Sequence, residues 1–193
     1  MHHYGHGHPP VLASLSVIRT RPEHQPRSLI SSLALFTATR TSRRDVSFQL
    51  VHARFDPTDS RAEILAGVCK RIPDQAQLLV RQPVLPAYML QNGAGIRDLP
   101  PTDNQLIARA LPGTTLLALA LTYEQLIAAG EALELEMAGP QSTPLMRSRR
   151  APQEAMAMWS VYTQSFCRRA ESRALVAAFQ AWRVLERVKP LPF

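Results

Sequence analysis

One stretch constrains the fold more than any other: "LALFTATRTSRRDVSFQLVHARFDPTDSRAEIL", residues 33–65. It begins inside a mostly apolar run, "SLISSLALFTATR", which is followed by a basic turn and then "DVSFQLVHARFD". In the latter, Val46, Phe48 and Leu50 alternate with polar residues and Ala53–Phe55 continue the pattern, the period of a strand with one buried face. "PTDS" supplies a turn and helix caps. "RAEILAGVCKRI" then sets Ile64, Leu65, Val68 and Ile72 at helical spacing. Two extended segments followed by a helix must bury a sheet face beneath it, which predicts a layered α/β domain.

The rest of the chain continues that alternation. "AQLLVRQPVL" reads as a strand interrupted at Pro83, whose ring removes a ladder donor. "TDNQLIARALPG" reads as a helix capped by Thr102 or Asp103 and stopped by Pro112-Gly113; "TYEQLIAAGEALELEMAG" as one capped by Thr122 and ended at Gly139. Beyond "STPLMRSRR", Pro152 suits a first helical turn. Ala155, Met158, Trp159, Tyr162 and Phe166 form one apolar stripe, and Leu175, Ala178, Phe179, Trp182 and Leu185 a second. Either one helix runs to Val188 or two are joined near Arg168–Ser172. The expected organisation is a disordered His/Pro-rich tail over 1–27, an α/β domain over 28–165 and a basic amphipathic helical extension over 166–193. In the tail, "MHHYGHGHPP" has four His but no scaffold to fix metal geometry. "VLASLSVI" is short, follows Pro9-Pro10 and lacks a basic leader, which argues against a secretory signal. An acid-free start with Arg19 and Arg21 leaves an organelle transit peptide open, but a cytoplasmic location is the expectation.

Charge is uneven. Of the formal net +7, residues 1–27 carry +2, residues 28–162 carry +1 and residues 163–193 carry +4, so the ends are basic and the body is nearly neutral. Twenty of the 22 basic residues are Arg, whose planar fork suits phosphate and carboxylate; an Arg-rich codon usage would give the same composition. Cys69 and Cys167 make neither a disulfide framework nor a metal knuckle, and reduced, buried thiols are expected. There is no G-x-S-x-G, Walker A or H-E-x-x-H pattern.

In order and spacing, several segments resemble the DnaQ-like (DEDDh) 3′→5′ exonucleases, a family with a ribonuclease-H-like fold. The family opens with D-x-E-T-T on its first strand, here "TATRT", Thr37 to Thr41. "SFQLVHARFDP" is similar to its second and third strands. "LLVRQPVLP" takes the place of the H-N-x-x-F-D motif, with Arg81, Gln82, Leu85 and Pro86 in its positions. "TDNQLIARALPG" is close to a helix common in the family, and "RRAPQEA", Arg149 to Ala155, takes the place of H-x-A-x-x-D-A. The resemblance implies a mixed sheet flanked by helices over about residues 28–165.

It also implies a lost reaction. Such exonucleases hold two divalent cations with four carboxylates and use a His as general base. Paired Mg²⁺ ions need clustered anionic oxygens to offset their charge. Here the first two acid positions are Thr37 and Thr39, the third falls at or beside Pro86, and only the fourth, Glu154, is acidic. Arg149 stands at the base position and cannot accept a proton. No Asp or Glu occurs in residues 28–44, so a shifted alignment does not restore the site. The expectation is a catalytically inactive, exonuclease-like protein with no cofactor, Mg²⁺ mattering only if residual activity survives. Arg40, Arg81, Arg149, Arg168 and Arg169 are the candidate nucleic-acid contacts. Phe179, Trp182 and Leu185 are the candidate anchors for a protein partner in a DNA- or RNA-handling complex. The alternatives are an adaptor with no nucleic-acid role and a residual active exonuclease.

Overall fold

The computed structural model describes residues 11–20, 29–42, 45–82, 103–137 and 149–188. In chain order the elements are β1 (Val11–Thr20), β2 (Leu29–Arg40), β3 (Val46–Arg54), α1 (Arg61–Cys69), β4 (Gln77–Gln82), α2 (Asp103–Ala110), β5 (Thr115–Ala120), α3 (Tyr123–Ala132), α4 (Arg150–Phe166) and α5 (Arg169–Val188). The five strands form one mixed sheet in the order β3-β2-β1-β4-β5. β1 pairs antiparallel with β2 and parallel with β4; β3 and β5 extend the two sides. The architecture is α/β, and its topology is consistent with a ribonuclease-H-like fold.

Residues 11–20 correct the expected tail: they form the central strand. β1 is buried on both faces by small side chains, with Leu12, Ser14 and Ser16 on one side and Ala13 and Leu15 on the other. Its polar positions, Ser14 and Ser16, are as buried as its apolar ones, so their alternation marks no solvent face. β5, "TLLALA", is a second strand not anticipated, its six residues lying between two helical segments. The globular unit therefore starts before residue 28, and α5 completes it rather than extending from it.

One sheet face is closed by α4 and α5. Phe36, Phe48, Trp159, Phe179 and Trp182 pack there as one aromatic cluster, with ring centroids 5.3–5.8 Å apart and mostly edge-on or tilted geometry. The opposite face carries α1 and α2, whose Ile64, Leu65, Val68 and Ile107 pack over Leu33, Leu35, Leu78 and Val80. α4 and α5 are separate helices, broken at Cys167–Arg168. α3 begins with a full capping box, Thr122 and Gln125 exchanging side-chain and backbone hydrogen bonds. It ends at Ala132, ahead of the expected Gly139, and Glu134 takes a positive φ of 58° just beyond.

Candidate phosphate-binding edge of the sheet

α4 runs antiparallel to β1 and brings its first turn to the carboxyl end of that strand. Ser14 Oγ donates to the Ala155 carbonyl at 2.6 Å, and Ser16 Oγ donates to Glu154 Oε2 at 3.0 Å. Arg150 Nε donates to the other oxygen of the same carboxylate at 2.7 Å. Glu154 is only 4% exposed, so its charge is held in low dielectric by one guanidinium and one hydroxyl.

Around this carboxylate the surface is cationic. β1 and β4 are in register at Leu15 and Val80, which sets Arg81 level with Ser16. Arg81 Nε donates to the Leu121 carbonyl at 3.1 Å, steering its guanidinium towards Tyr123. The Arg81 and Arg150 guanidinium carbons lie 6.0 and 4.8 Å from the centre of the Tyr123 ring. Arg149 precedes α4 and is exposed. On the far side of the same edge, Asp103 at the start of α2 accepts from Arg19 Nε and Arg61 Nε, each at 2.9 Å. The carboxyl ends of the parallel strands at a reversal of strand order are where open α/β sheets bind ligands. Here that place holds five arginines, two bound carboxylates, Glu154 and Asp103, and the exposed Glu124 beside Arg81.

The sequence-derived site is corrected in three respects. Thr37 and Thr39 lie on β2, not on the first strand. They alternate with Phe36 and Ala38, which belong to the α4 face, and so point to the other face, away from Glu154. The β1 residue that does meet Glu154 is Ser16, with Ser14 beside it on the backbone carbonyl of Ala155; both fall within the expected tail. Second, the five candidate arginines divide between two ends of the sheet. Val11 pairs with Thr39, so Arg40 lies about 20 Å from Arg81 along the strands, counted at ~3.3 Å per residue. Arg40 is ion-paired with Glu171 of α5, and Arg168 and Arg169 are exposed nearby at the α4–α5 break. Only Arg81 and Arg149 sit with Glu154. Third, Phe179 is fully buried in the chain's own aromatic cluster and is not available as a partner anchor; Trp182 packs in the same cluster with part of its surface exposed, and Leu185 is 66% exposed. Pro86 lies outside the described residues.

The donors at this edge do not fit a pair of divalent cations. Ser14 and Ser16 are neutral, and both oxygens of Glu154 are already engaged. Among the described residues no three of His, Cys, Asp and Glu are grouped to hold a metal ion. Cys69 and Cys167 are unpaired and half-buried, and burial pushes both thiols up from their ordinary value. No helix among the described residues is long and apolar enough to cross a membrane. No protein-family model, curated protein or solved structure matches the chain.

Proposed function

We propose that this protein binds nucleic-acid phosphate at the carboxyl edge of β1 and β4 without cleaving it, a nuclease-like scaffold turned to holding. One observation carries the reading. Where a ribonuclease-H-like nuclease mounts its first acids, this chain has Ser14 and Ser16, and the one carboxylate facing them, Glu154, is neutralised by Arg150. With Glu154 and Asp103 both held by arginine, repulsion of phosphate falls at this edge, and the exposed Glu124 beside Arg81 is the carboxylate left facing solvent there. Arg81, Arg149 and Arg150 supply guanidinium forks that take phosphate oxygens directly, where metal ions would otherwise bridge them.

Fluorescence anisotropy with a labelled single-stranded oligonucleotide tests this. Binding should weaken steeply with added salt, and Arg149→Glu should lower the slope of log K against log salt by about 1–2. The oligonucleotide should keep its length when Mg²⁺ is supplied. Salt-insensitive binding, or an affinity untouched by Arg149→Glu, would remove the reading. Mg²⁺-dependent shortening abolished by Glu154→Ala would replace it with an active nuclease.

A further inference from the structure

The opposite sheet face holds a feature this function does not use. Between α1 and the β2–β3 ladder lies an open cleft of about 360 Å³. Leu33, Leu35, Val51, Ala53, Ile64 and Val68 form its apolar walls. Two small residues leave it open towards the sheet edge: Ala53 on β3 and Gly67 on α1. A Cβ built at Gly67 meets nothing within 4 Å, so the opening is real space and not room claimed by a neighbour.

β3 is the last strand on this side of the sheet among the described residues. Its pairing with β2 runs unbroken from Ser32–Arg54 to Arg40–Val46, with no bulge to twist the free edge away. An edge of this kind presents backbone donors and acceptors to a further strand. The cleft alongside has matching dimensions. It runs along α1 from Ser60 to Arg71, about 16 Å at 1.5 Å per residue, the length of about five residues of extended chain. Its ends differ in charge: Asp59 and Glu63 line the end near Phe55, and Arg71 lines the other.

We infer that β3 and this cleft form a docking site for an extended peptide of another protein. The peptide adds to the sheet antiparallel to β3, places apolar side chains in the cleft, and runs from a basic residue to an acidic one. The direction follows from the charges. An antiparallel strand starts beside Phe55, where Asp59 and Glu63 receive a cation, and finishes near Arg71, which receives a carboxylate. A second copy of this chain fits less well. Pairing β3 with β3 would bring only Ser47, Gln49, Val51 and Ala53 to this face, none long enough to fill the cleft.

The probe is the synthetic peptide Lys-Thr-Leu-Thr-Leu-Thr-Glu, labelled and titrated with the full chain. It places Lys, both Leu and Glu on one face. Binding is expected, and the order-reversed peptide should bind at least tenfold more weakly. Methylating one alternate set of its backbone amides should abolish binding while methylating the other set is tolerated, the signature of strand addition. Gly67→Leu should fill the cleft and weaken binding at least tenfold without lowering the melting temperature, since leucine is the better helix former. Absence of binding, equal binding of forward and reversed peptides, equal tolerance of both methylated sets, or unchanged affinity in Gly67→Leu would each overturn the proposal. A dimer in sedimentation that the peptide cannot displace would overturn it in favour of a second copy. Oligonucleotide affinity of Gly67→Leu should be unchanged, which keeps this result separate from the phosphate edge.

Discussion

The two faces of the sheet are built to different standards. Under α4 and α5, five aromatic rings interlock and Trp159, Phe36 and Phe179 have almost no exposed surface. Under α1, a nine-residue helix covers the middle of the sheet and leaves an open cleft beside the edge strand. The first face is where a lost side chain leaves an enclosed void; the second already has one open to solvent. Tight packing is therefore concentrated on one side and open volume on the other.

Matched truncations measure that contrast. Leu126 on α3 is fully buried in the closed cluster, while Leu35 on β2 lines the cleft. Leu126→Ala should cost about 4–5 kcal/mol and Leu35→Ala about 2–3 kcal/mol in urea unfolding, because only the first creates a sealed cavity. Equal costs would mean that the α1 face is as tightly packed as its partner.

Two helical glycines sharpen the comparison at a smaller scale. A Cβ at Gly130 would collide with Met137 Sδ, whereas one at Gly67 meets nothing within 4 Å. Gly130→Ala should destabilise by about 1–3 kcal/mol through overpacking, and Met137→Ala in the same chain should recover part of it. Gly67→Ala should stabilise by about 0.5–1 kcal/mol, since alanine is the better helix former and nothing obstructs it. Thermal melts that move both variants in the same direction would break the contrast.

The two ends of the sheet differ likewise in their ion pairs. Glu154 is enclosed between Arg150 and Ser16, whereas Arg40 and Glu171 remain about one-third and one-fifth exposed. Glu154→Gln should cost about 1–3 kcal/mol by weakening one buried and one partly buried bond, and Glu171→Gln no more than about 1 kcal/mol, screened by salt. Denaturant midpoints at two salt concentrations distinguish them.

The elements legible in the sequence were those whose two sides differ chemically. β3 alternates, α1 and α2 carry helical periodicity between clear stops, and Thr122 caps α3 through a box that the sequence spells out. β1 fails that test because Ser14 and Ser16 are as deeply buried as Leu15. Hidden strand and misplaced site share one cause. With β1 taken as tail, β2 took the role of first strand, and the acid positions fell on Thr37 and Thr39. Parity then placed them on the wrong face of the sheet, since Phe36 and Ala38 are the neighbours that look towards α4. Glu154 is legible because its helix carries a clear apolar stripe. Its partner on the sheet, Ser16, is signalled only by two polar residues in an apolar segment, Ser14 and Ser16, spaced to share a strand face.

The smallest expected effect is a pH dependence at the free edge. Partial burial first, and the Arg54 charge second, lower the pKa of His52 below its ordinary 6.5. The unfolded chain then binds this proton more readily than the folded one, so stability rises with pH across the interval between the folded value and 6.5, and levels off above it. Asp56, lowered by its hydrogen bonds to Thr58, acts in a separate and more acidic interval near and below 3.8. Melting temperatures followed through the His52 interval should therefore rise with pH in the native chain and run flatter in His52→Gln, with the two converging above about pH 7. A slope that survives His52→Gln would assign the proton to another group. If the slope disappears as expected, protonated His52 beside Arg54 places two cations on the edge strand, which raises the cost of pairing β3 with a second β3 as the solution becomes acidic.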